Sequence, residues 1–314
     1  MARWANVWGF PVPDTPGWTA AEMVAHSARG EIDLFWMLGG NFLETLPDVD
    51  RSSEALRRPR LRVHQDIMLS SSMLVEGGDV LLLPATTRYE SPGEGTETST
   101  ERRIIFSPEI PGRRIGSARP EWWVFREVMA RAHPDRRHLV GLGDAAAIRQ
   151  EIARAVPLYK GIETLNAKGD QVQWGGPTLY ADGRFATPDG KAHFALVSTG
   201  PVPRSSADAF AVSTRRGKQF NSMVQRQVDP LTGAGRDDIL ISADDMARLR
   251  LEEGAAVRLR SASGTFSGRV KRAPIKPGNL EVHWPEGMPL LSGSAIDPDS
   301  MEPDYNAVVT IEVV

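Results

Sequence analysis

Chemistry in this chain would have to come from polar side chains that follow apolar runs, because the residue types of several common sites are missing. The 314 residues include no cysteine, which excludes disulfides, thiolate metal ligands and iron–sulfur ligation by this chain. The six histidines are scattered, and no two have the i,i+4 spacing of a helical metal pair. No serine–histidine–aspartate arrangement or glycosidase-type carboxylate pair is supported. We therefore predict no catalytic and no metal-ligating residue.

The first polar group follows an apolar run at residues 32–38, which predicts a strand with both faces buried, as in a parallel sheet. That run leads directly into Gly39-Gly40-Asn41. The crevice beyond the carboxyl ends of strands is where α/β sheets bind ligands. The alternative is a tight turn that needs positive φ angles. The segment is neither a Walker loop nor a GxGxxG fingerprint.

Gln65 and Asp66 end the next predicted strand, at residues 62–66. An aspartate there can accept hydrogen bonds from a guanine edge or a ribose diol. Capping of the following helix is the alternative role. Because both strands end at the same edge of the sheet, we expect the two polar groups to share one ligand crevice.

Two further segments are unusually polar. Residues 88–103 combine four glutamates, three arginines and several hydroxyls, which is typical either of a salt-bridged surface loop or of a loop lining a polyanionic ligand. Residues 213–222, STRRGKQFNS, hold three cations, an aromatic ring and two amides. Those groups suit phosphates and a heterocycle edge, and the alternative is a basic turn facing water.

The order of predicted elements indicates a doubly wound α/β domain over residues 1–200, followed by a linker at 201–207. A capping box of Thr19 and Glu22 begins the first helix. The predicted helices are 19–29, 70–75, 121–132 and 145–155, and the predicted strands are 32–38, 62–66 and 80–83.

Residues 205–314 change to short strands separated by turns, with a single clear helix at 243–250. Strands in this number and of this length predict a compact six-stranded β-barrel. The predicted strands are 210–214, 239–242, 256–261, 265–272, 279–283 and 307–313.

Composition excludes several classes of protein. With 41% hydrophobic and 25% charged residues, the chain is typical of a folded globular protein. The formal net charge of −3 gives no basic excess for nucleic acid. No apolar run reaches the length of a membrane span, and the N-terminus lacks a secretory pattern, so a cytoplasmic location is predicted.

Taken in order, these segments resemble the C-terminal half of molybdopterin oxidoreductases, in particular the formate-dehydrogenase-like alpha-subunit family. The resemblance spans nearly all of residues 7–313. It is carried by GEIDLFWMLGGNFLETLPD, LRVHQDIMLSSSMLVEGGDVLLLPATTRYE, GTETSTERRIIFSPEI, QWGG, STRRGKQFNSMV, ISADDMARLRLEEGAAVRLRSASGTFSGRVKRAPIKPGNLEVHWPEG and PDYNAVVTIEV.

The resemblance implies a fold and a cofactor. Residues 1–200 are similar to a Rossmann-like α/β domain that holds the nucleotide end of one molybdopterin guanine dinucleotide. Residues 205–314 resemble a six-stranded double-psi β-barrel that caps the pterins. The cofactor of this family carries molybdenum or tungsten.

The resemblance also implies cofactor-binding residues. Those at guanosine and phosphate positions are Gly39, Gly40, Asn41 and Asp66, and those that shape the loop beside the pterin are Glu90 and Thr96, with Glu101, Arg102 and Arg103 holding that loop in place. Those on the pterin-contacting turn are Thr214, Arg215, Arg216, Gln219, Phe220, Asn221 and Ser222, and the late barrel positions are His283, Tyr305 and Asn306.

Some family features are absent from this chain. In the family, the N-terminal half supplies any iron–sulfur domain, a second nucleotide domain and the metal-ligating residue, often cysteine or selenocysteine. We therefore expect the cofactor-binding C-terminal portion of a bis-molybdopterin oxidoreductase that oxidises or reduces formate or a similarly small substrate. Its partner would be an N-terminal half, on a separate chain or lost. The alternatives are a non-catalytic module binding molybdopterin or guanine nucleotide, and an inactive truncated fragment.

Overall fold

Residues of the chain group into two compact units that do not follow chain order in the computed structural model. One unit contains residues 1–16 and 83–200, and the other contains 17–82 and 201–314. The structure describes residues 2–197, 208–216 and 226–314, so the predicted linker at 201–207 lies outside the described residues. The predicted domain boundaries, 1–200 and 205–314, remain a prediction.

Helices and strands alternate over the first part of the chain, and strands dominate the last part. The helices are α1 (Ala2–Trp8), α2 (Ala20–Ala28), α3 (Phe42–Thr45), α4 (Val49–Arg57), α5 (Glu121–Ala132), α6 (Ala145–Ala155) and α7 (Ala243–Leu249). The strands are β1 (Leu34–Leu38), β2 (Leu61–Asp66), β3 (Asp79–Pro84), β4 (Gly95–Thr98), β5 (Arg103–Ser107), β6 (Gln171–Gln173), β7 (Phe210–Arg215), β8 (Asp238–Ile241), β9 (Ala256–Arg260), β10 (Thr265–Arg272), β11 (Asn279–His283) and β12 (Asn306–Val313). Across the described ranges, every helix is too short or too polar to cross a lipid bilayer.

Helix α2 begins where the capping box predicts. The Thr19 N–H donates to the Glu22 carboxylate over 2.7 Å, and the Glu22 N–H donates back to the Thr19 hydroxyl over 3.4 Å. These bonds satisfy orphan donors of the first turn. Helices α5 and α6 also have their predicted bounds, whereas α1, α3 and α4 were not predicted.

The first sheet has the order β1-β2-β3, and β1 runs parallel to β2, with Leu34 opposite Leu61 and Leu38 opposite Gln65. One face of β1 packs Phe35 and Met37 into a core with Leu56 of α4. This pairing confirms the prediction that the segment contains parallel strands.

The prediction that both faces of β1 are buried is wrong for this chain. Met37 is 3% exposed, but its neighbour Leu38 is 46% exposed and Leu34 is 50% exposed. The reason is that side chains alternate along the strand, so Leu34 and Leu38 lie on the face opposite Phe35 and Met37, and that face is left exposed. Three consecutive apolar residues of β3, Val80–Leu82, are exposed as well.

The helix predicted at residues 70–75 is instead a short 3-10 turn, Ser71–Leu74. The fully buried Arg62 guanidinium donates to the carbonyls of Ser72, Val75 and Gly77. Because these carbonyls are directed at a side chain, they do not accept the bonds that would extend an α-helix.

The polar segment at 88–103, interpreted from sequence as a loop, contributes strands to a second sheet. Strand β4 pairs antiparallel with β5, and β5 pairs antiparallel with β6. Ile104 and Phe106 of β5 pack with Ile162 and Leu165 in a separate core. Their burial became visible only when β5 was paired with β4 and β6.

The last part of the chain is a closed six-stranded barrel of order β10-β8-β11-β7-β12-β9, which confirms the predicted barrel. Parallel pairs (β8 with β10, β7 with β11) mix with antiparallel ones. Its core is apolar and almost fully enclosed, and includes Phe210, Val212, Ile239, Ile241, Leu259, Leu280, Val282 and Val309.

Adjacent valines of β12 test this packing. Val309 is 1% exposed and Val308 is 45% exposed. We expect Val309→Ala to lower the free energy of unfolding by roughly 1.5–2.5 kcal/mol, since about 0.8 kcal/mol is lost per buried CH2 and the cavity adds to it. Val308→Ala is the control and should change it by less than about 0.5 kcal/mol. Urea denaturation checks both, and equal effects would contradict the barrel's inside–outside assignment.

Candidate functional site

The ends of β1 and β2 lie side by side, as the sequence predicts. The Gly39 N–H donates to the Gln65 carbonyl over 2.9 Å, which continues the ladder past the strand. Gly39 and Gly40 have φ angles of +65° and +82°, and a Cβ placed on either would meet no atom within 4 Å. The glycines therefore serve a turn and also leave space where a ligand can approach the backbone closely.

Asn41 and Asp66 are both at this edge of the sheet. Asn41 is buried, and its side-chain Nδ2 lies 2.9 Å from the hydroxyl of Ser71. That hydroxyl in turn donates to Glu44 over 2.5 Å. Asp66 uses one carboxylate oxygen to accept from the Ile67 N–H over 2.7 Å. One of the two Asp66 carboxylate oxygens therefore accepts a backbone hydrogen bond, and Asp66 does not cap a helix.

The central strand β2 buries three polar side chains, Arg62, His64 and Gln65, of which the sequence analysis named only Gln65. Burial lowers the pKa of His64, assisted by the charge of Arg62 and opposed by that of Asp66. Gln65 is fully buried, and neither of its amide atoms has a hydrogen-bond partner. A polar residue at nearly every position of a central strand is a sequence signal that could have identified this cluster.

The predicted residues Glu90 and Thr96 lie in the other compact unit. The Glu90 carboxylate accepts from the N–H and the hydroxyl of Thr87, both over 2.9 Å, and these bonds lower its pKa. Thr96 lies on β4 and lines a cavity of about 350 Å³ together with Trp122 and Arg149. Glu90 therefore stabilises its own turn, and its role in a loop beside the pterin stays a prediction.

Glu101, Arg102 and Arg103, which we expect to hold this loop in place, lie in the same compact unit as Glu90 and Thr96. Arg102 donates to the carbonyls of Trp174 and Gly176 beyond the end of β6. Glu101 has its pKa lowered by hydrogen bonds from the Ser99 side chain and other groups nearby. Arg103 begins β5 and is exposed. The hydrogen bonds of Arg102 go to backbone carbonyls, and its guanidinium also lies 5.5 Å from the centre of the Trp174 ring.

One end of the barrel brings together the predicted residues of β7, β11 and β12. Arg215 lies opposite His283, and the Thr214 N–H donates to the Tyr305 carbonyl over 3.4 Å. The Asn306 side chain accepts from Ser213 over 2.8 Å. Four more predicted residues, Gln219, Phe220, Asn221 and Ser222, lie outside the described residues.

The two adjacent arginines of this cluster have different surroundings. Arg215 has Glu281 at 3.1 Å and the fully buried Asp229 at 3.6 Å, so two carboxylates neutralise it. Arg216 is exposed and its guanidinium lies 4.4 Å from the centre of the Trp284 ring. No carboxylate of the described residues forms an ion pair with Arg216. Arg216 is thus the better placed of the two to bind an anion.

The titratable groups beside these arginines are shifted in opposite directions. Burial, followed by the charge of Arg215, lowers the pKa of His283 against the pull of Asp229 and other carboxylates. Burial, together with Glu302, raises the pKa of Tyr305, while Arg216 acts to lower it. Near neutral pH the barrel end therefore has an uncharged imidazole and a phenol that retains its proton.

Nothing in the described ranges forms a metal site of three or more histidine, cysteine, aspartate or glutamate side chains. The groups at the edge of the first sheet and at the barrel end are instead backbone N–H groups, amides, hydroxyls and one exposed arginine. These groups can bind a polar ligand that has donors, acceptors and negative charge.

Asp229 gives a test of the barrel end. Burial acts to raise its pKa, but hydrogen bonds from the Leu231 N–H and the Thr232 hydroxyl, with the charge of Arg215, hold it below its usual range. We expect Asp229→Asn to lower the free energy of unfolding by about 2 kcal/mol, because Arg215 loses one of its two carboxylates and the Leu231 N–H and Thr232 hydroxyl lose a charged acceptor.

Asp208, which is 83% exposed and lies 3.7 Å from Arg248, is the matched control. Asp208→Asn should cost less than about 0.5 kcal/mol, as expected of a solvated pair. Urea denaturation at pH 7 compares the two variants. Equal losses would mean that the Arg215 pair is not the buried interaction described above.

Comparison with known proteins identifies the barrel. Residues 210–309 match the model of the molydopterin dinucleotide binding domain. The matched residues contain the whole barrel except the end of β12.

Relatives align along most of the chain. A probable oxidoreductase, YjgC, of Bacillus subtilis is 26% identical over 96% of this chain and 31% of its own length. A nitrate reductase of Klebsiella oxytoca is 28% identical over 90% of this chain and 35% of its own length. The alpha subunit of an F420-dependent formate dehydrogenase of Methanococcus maripaludis is 23% identical over 96% of this chain and 46% of its own length. The chain spans less than half the length of each.

Acetylene hydratase from Pelobacter acetylenicus has a similar fold, with a TM-score of 0.66 at 13% identity, over 93% of this chain and 46% of that one. At this identity the likeness concerns the fold alone. The barrel of this protein is therefore a molydopterin dinucleotide binding domain, and the chain as a whole is similar to the C-terminal portions of larger oxidoreductases.

Proposed function

We propose that this chain binds molybdopterin guanine dinucleotide as the C-terminal, cofactor-binding portion of a bis-molybdopterin oxidoreductase. The observation that carries the proposal is the convergence of Thr214, Arg216 and Tyr305 at one end of the matched barrel domain. In this proposal the barrel is of the double-psi type and caps the pterin end. The β1-β2-β3 sheet belongs to a Rossmann-like domain that holds the guanosine end.

The residues present fit such a group. Open space around Gly39 and Gly40 allows phosphate or sugar to approach the backbone. Arg216 offers an exposed cation stacked on an indole, and the partnerless buried amide of Gln65 indicates that a polar group is missing at the strand ends. When bound, the cofactor would supply a molybdenum or tungsten centre that exchanges two electrons with substrate. The chain's own residues would bind it, orient it and keep its surroundings polar.

The substrate that we propose is formate or a similarly small molecule. Relatives named for formate and for nitrate support a small substrate. None of the residues assigned in this chain would take part in the reaction, because their place is at the cofactor's nucleotide and pterin ends. Specificity for the substrate therefore belongs to the proposed N-terminal portion.

An uncovered apolar face supports a partner. Leu34 and Leu38 are exposed on one face of β1, in a parallel sheet of the kind that usually has both faces covered, and β3 exposes Val80–Leu82 on both of its faces. The relatives have more than twice the length that this chain spans. We propose that the N-terminal portion of the enzyme covers this face, whether on the same polypeptide or on another. A self-contained binding module, the alternative function, would not need to expose it.

Titration with guanosine monophosphate tests cofactor binding. We expect saturable calorimetric binding in the millimolar range or tighter, because Asp66 and the Gly39-Gly40 turn hold only part of the cofactor. Asp66→Ala should weaken it about tenfold, as loss of a charged hydrogen bond implies. Asp50→Ala, an exposed position on α4, is the control. Absence of saturable binding, or equal affinity for both variants, would contradict a guanosine site at these strand ends.

Neighbouring residues of β1 test the uncovered face. Leu38→Gln should reduce the binding of a hydrophobic dye and change the free energy of unfolding by less than about 0.5 kcal/mol, since Leu38 is 46% exposed. Met37→Gln, at a position 3% exposed, should cost about 3 kcal/mol or more. If Leu38→Gln destabilises the chain as much as Met37→Gln, the face is already packed and needs no partner.

A further inference from the structure

The orientation of the Asn41 carboxamide is determined by a single hydroxyl proton. The Ser71 Oγ lies 2.5 Å from Glu44 Oε1, 2.9 Å from Asn41 Nδ2 and 3.2 Å from Asn41 Oδ1. A serine hydroxyl has one proton to donate and two lone pairs that accept. It can therefore donate to Glu44 or to Asn41 Oδ1, but not fully to both.

The carboxylate is the stronger acceptor of the two. A hydrogen bond to an ionised oxygen is shorter and roughly twice as strong as one to a neutral oxygen, and the contact to Glu44 is the shorter one. The Ser71 proton therefore goes to Glu44, and the Ser71 oxygen accepts from Asn41 Nδ2. Asn41 Oδ1 is then left as an acceptor that Ser71 does not use.

Ser71 is held in position by Arg62. The guanidinium of this fully buried arginine donates to the carbonyls of Ser72, Val75 and Gly77, which fixes the turn that begins at Ser71. Burial lowers the pKa of Arg62. The three carbonyls supply the partners that a buried guanidinium requires.

Asn41 directly follows the Gly39-Gly40 turn, which lies beside the end of β2. Asp66 there accepts from the Ile67 N–H through Oδ1, and no residue of the described ranges donates to its Oδ2. Each of the two neighbouring strand ends thus carries an oxygen that can accept from a ligand. A ligand edge with two donors, such as N1–H and the 2-amino group of guanine, is complementary to these two oxygens, whereas adenine has an acceptor at N1.

We propose that Glu44 and Ser71 are positioning residues that fix the Asn41 carboxamide and leave its oxygen able to accept from a ligand at the strand ends, and that this arrangement selects guanine over adenine. The proposal rests on the proposed function, which supplies the guanine ligand. Glu44 and Ser71 were not among the residues selected from the sequence. They act through Asn41 and need not touch the ligand.

The first test needs no ligand. In a protein with labelled asparagine side chains, the Asn41 amide resonance, identified by its absence in Asn41→Asp, should shift in both Glu44→Ala and Ser71→Ala. Ser71→Thr keeps the hydroxyl and should restore the original position. Glu252→Ala, an exposed glutamate of the barrel unit without a side-chain partner among the described residues, is the control. If the Asn41 resonance is unchanged in both alanine variants, the positioning of Asn41 by Glu44 and Ser71 is wrong.

The second test measures selectivity with guanosine, inosine and adenosine monophosphates. We expect Glu44→Ala and Ser71→Ala to weaken guanosine monophosphate binding about fivefold to tenfold. Binding of adenosine monophosphate should be unchanged or tighter, with inosine monophosphate between the two. Ser71→Thr should behave like the unaltered chain.

Together the two tests distinguish failure of the guanosine site from failure of the positioning role. If the unaltered chain binds no guanosine monophosphate, the guanosine site is wrong for this chain, and the resonance test alone shows whether Glu44 and Ser71 position Asn41. If it binds and both alanine variants keep its affinity and selectivity, the positioning role of Glu44 and Ser71 is wrong while the site stands.

Discussion

The parallel pairing of β1 with β2 is the interaction on which the candidate nucleotide site depends. Parallel strands end at the same edge of a sheet, so this ladder alone places the Gly39-Gly40 turn beside Asp66. It also makes β2 a central strand, and that strand buries Arg62, His64 and Gln65. Removing a charged guanidinium from water is costly, and three carbonyls of one loop offset the cost. The loop is thereby fixed next to Asn41.

At the barrel end, charge compensation separates two residues that the sequence presents as equivalent. Arg215 is enclosed by carboxylates, one of them fully buried, and its role is to hold β7 to its neighbours. Arg216 points to a different environment, over the Trp284 ring, and is exposed. A polyanionic ligand gains more from a cation that is not already neutralised. The barrel thus neutralises one arginine with carboxylates and leaves the next exposed, and the exposed one is the arginine that we propose for cofactor binding.

The apolar faces of β1 and β3 connect the fold to the comparison with relatives. Core strands with leucine and valine on both faces are stable when both faces are covered. In this chain only one face of β1 is covered, and the relatives are much longer than the aligned region. The same sheet that places the candidate nucleotide site therefore also presents the surface that we assign to the partner.

The sequence by itself determined the elements whose signals are local. Thr19 and Glu22 mark the start of α2, and alternating apolar residues place the six strands of the barrel, because capping and strand periodicity depend on residues a few positions apart. Only the tertiary structure decided that β4 and β5 form strands, that Leu38 is exposed while Met37 is buried, and that Arg215 is neutralised while Arg216 is not. It also decided the contact of Ser71 with Asn41 and Glu44, which are about thirty residues away in sequence. These outcomes depend on which segments become neighbours in space, and no local pattern of charge or hydropathy specifies that.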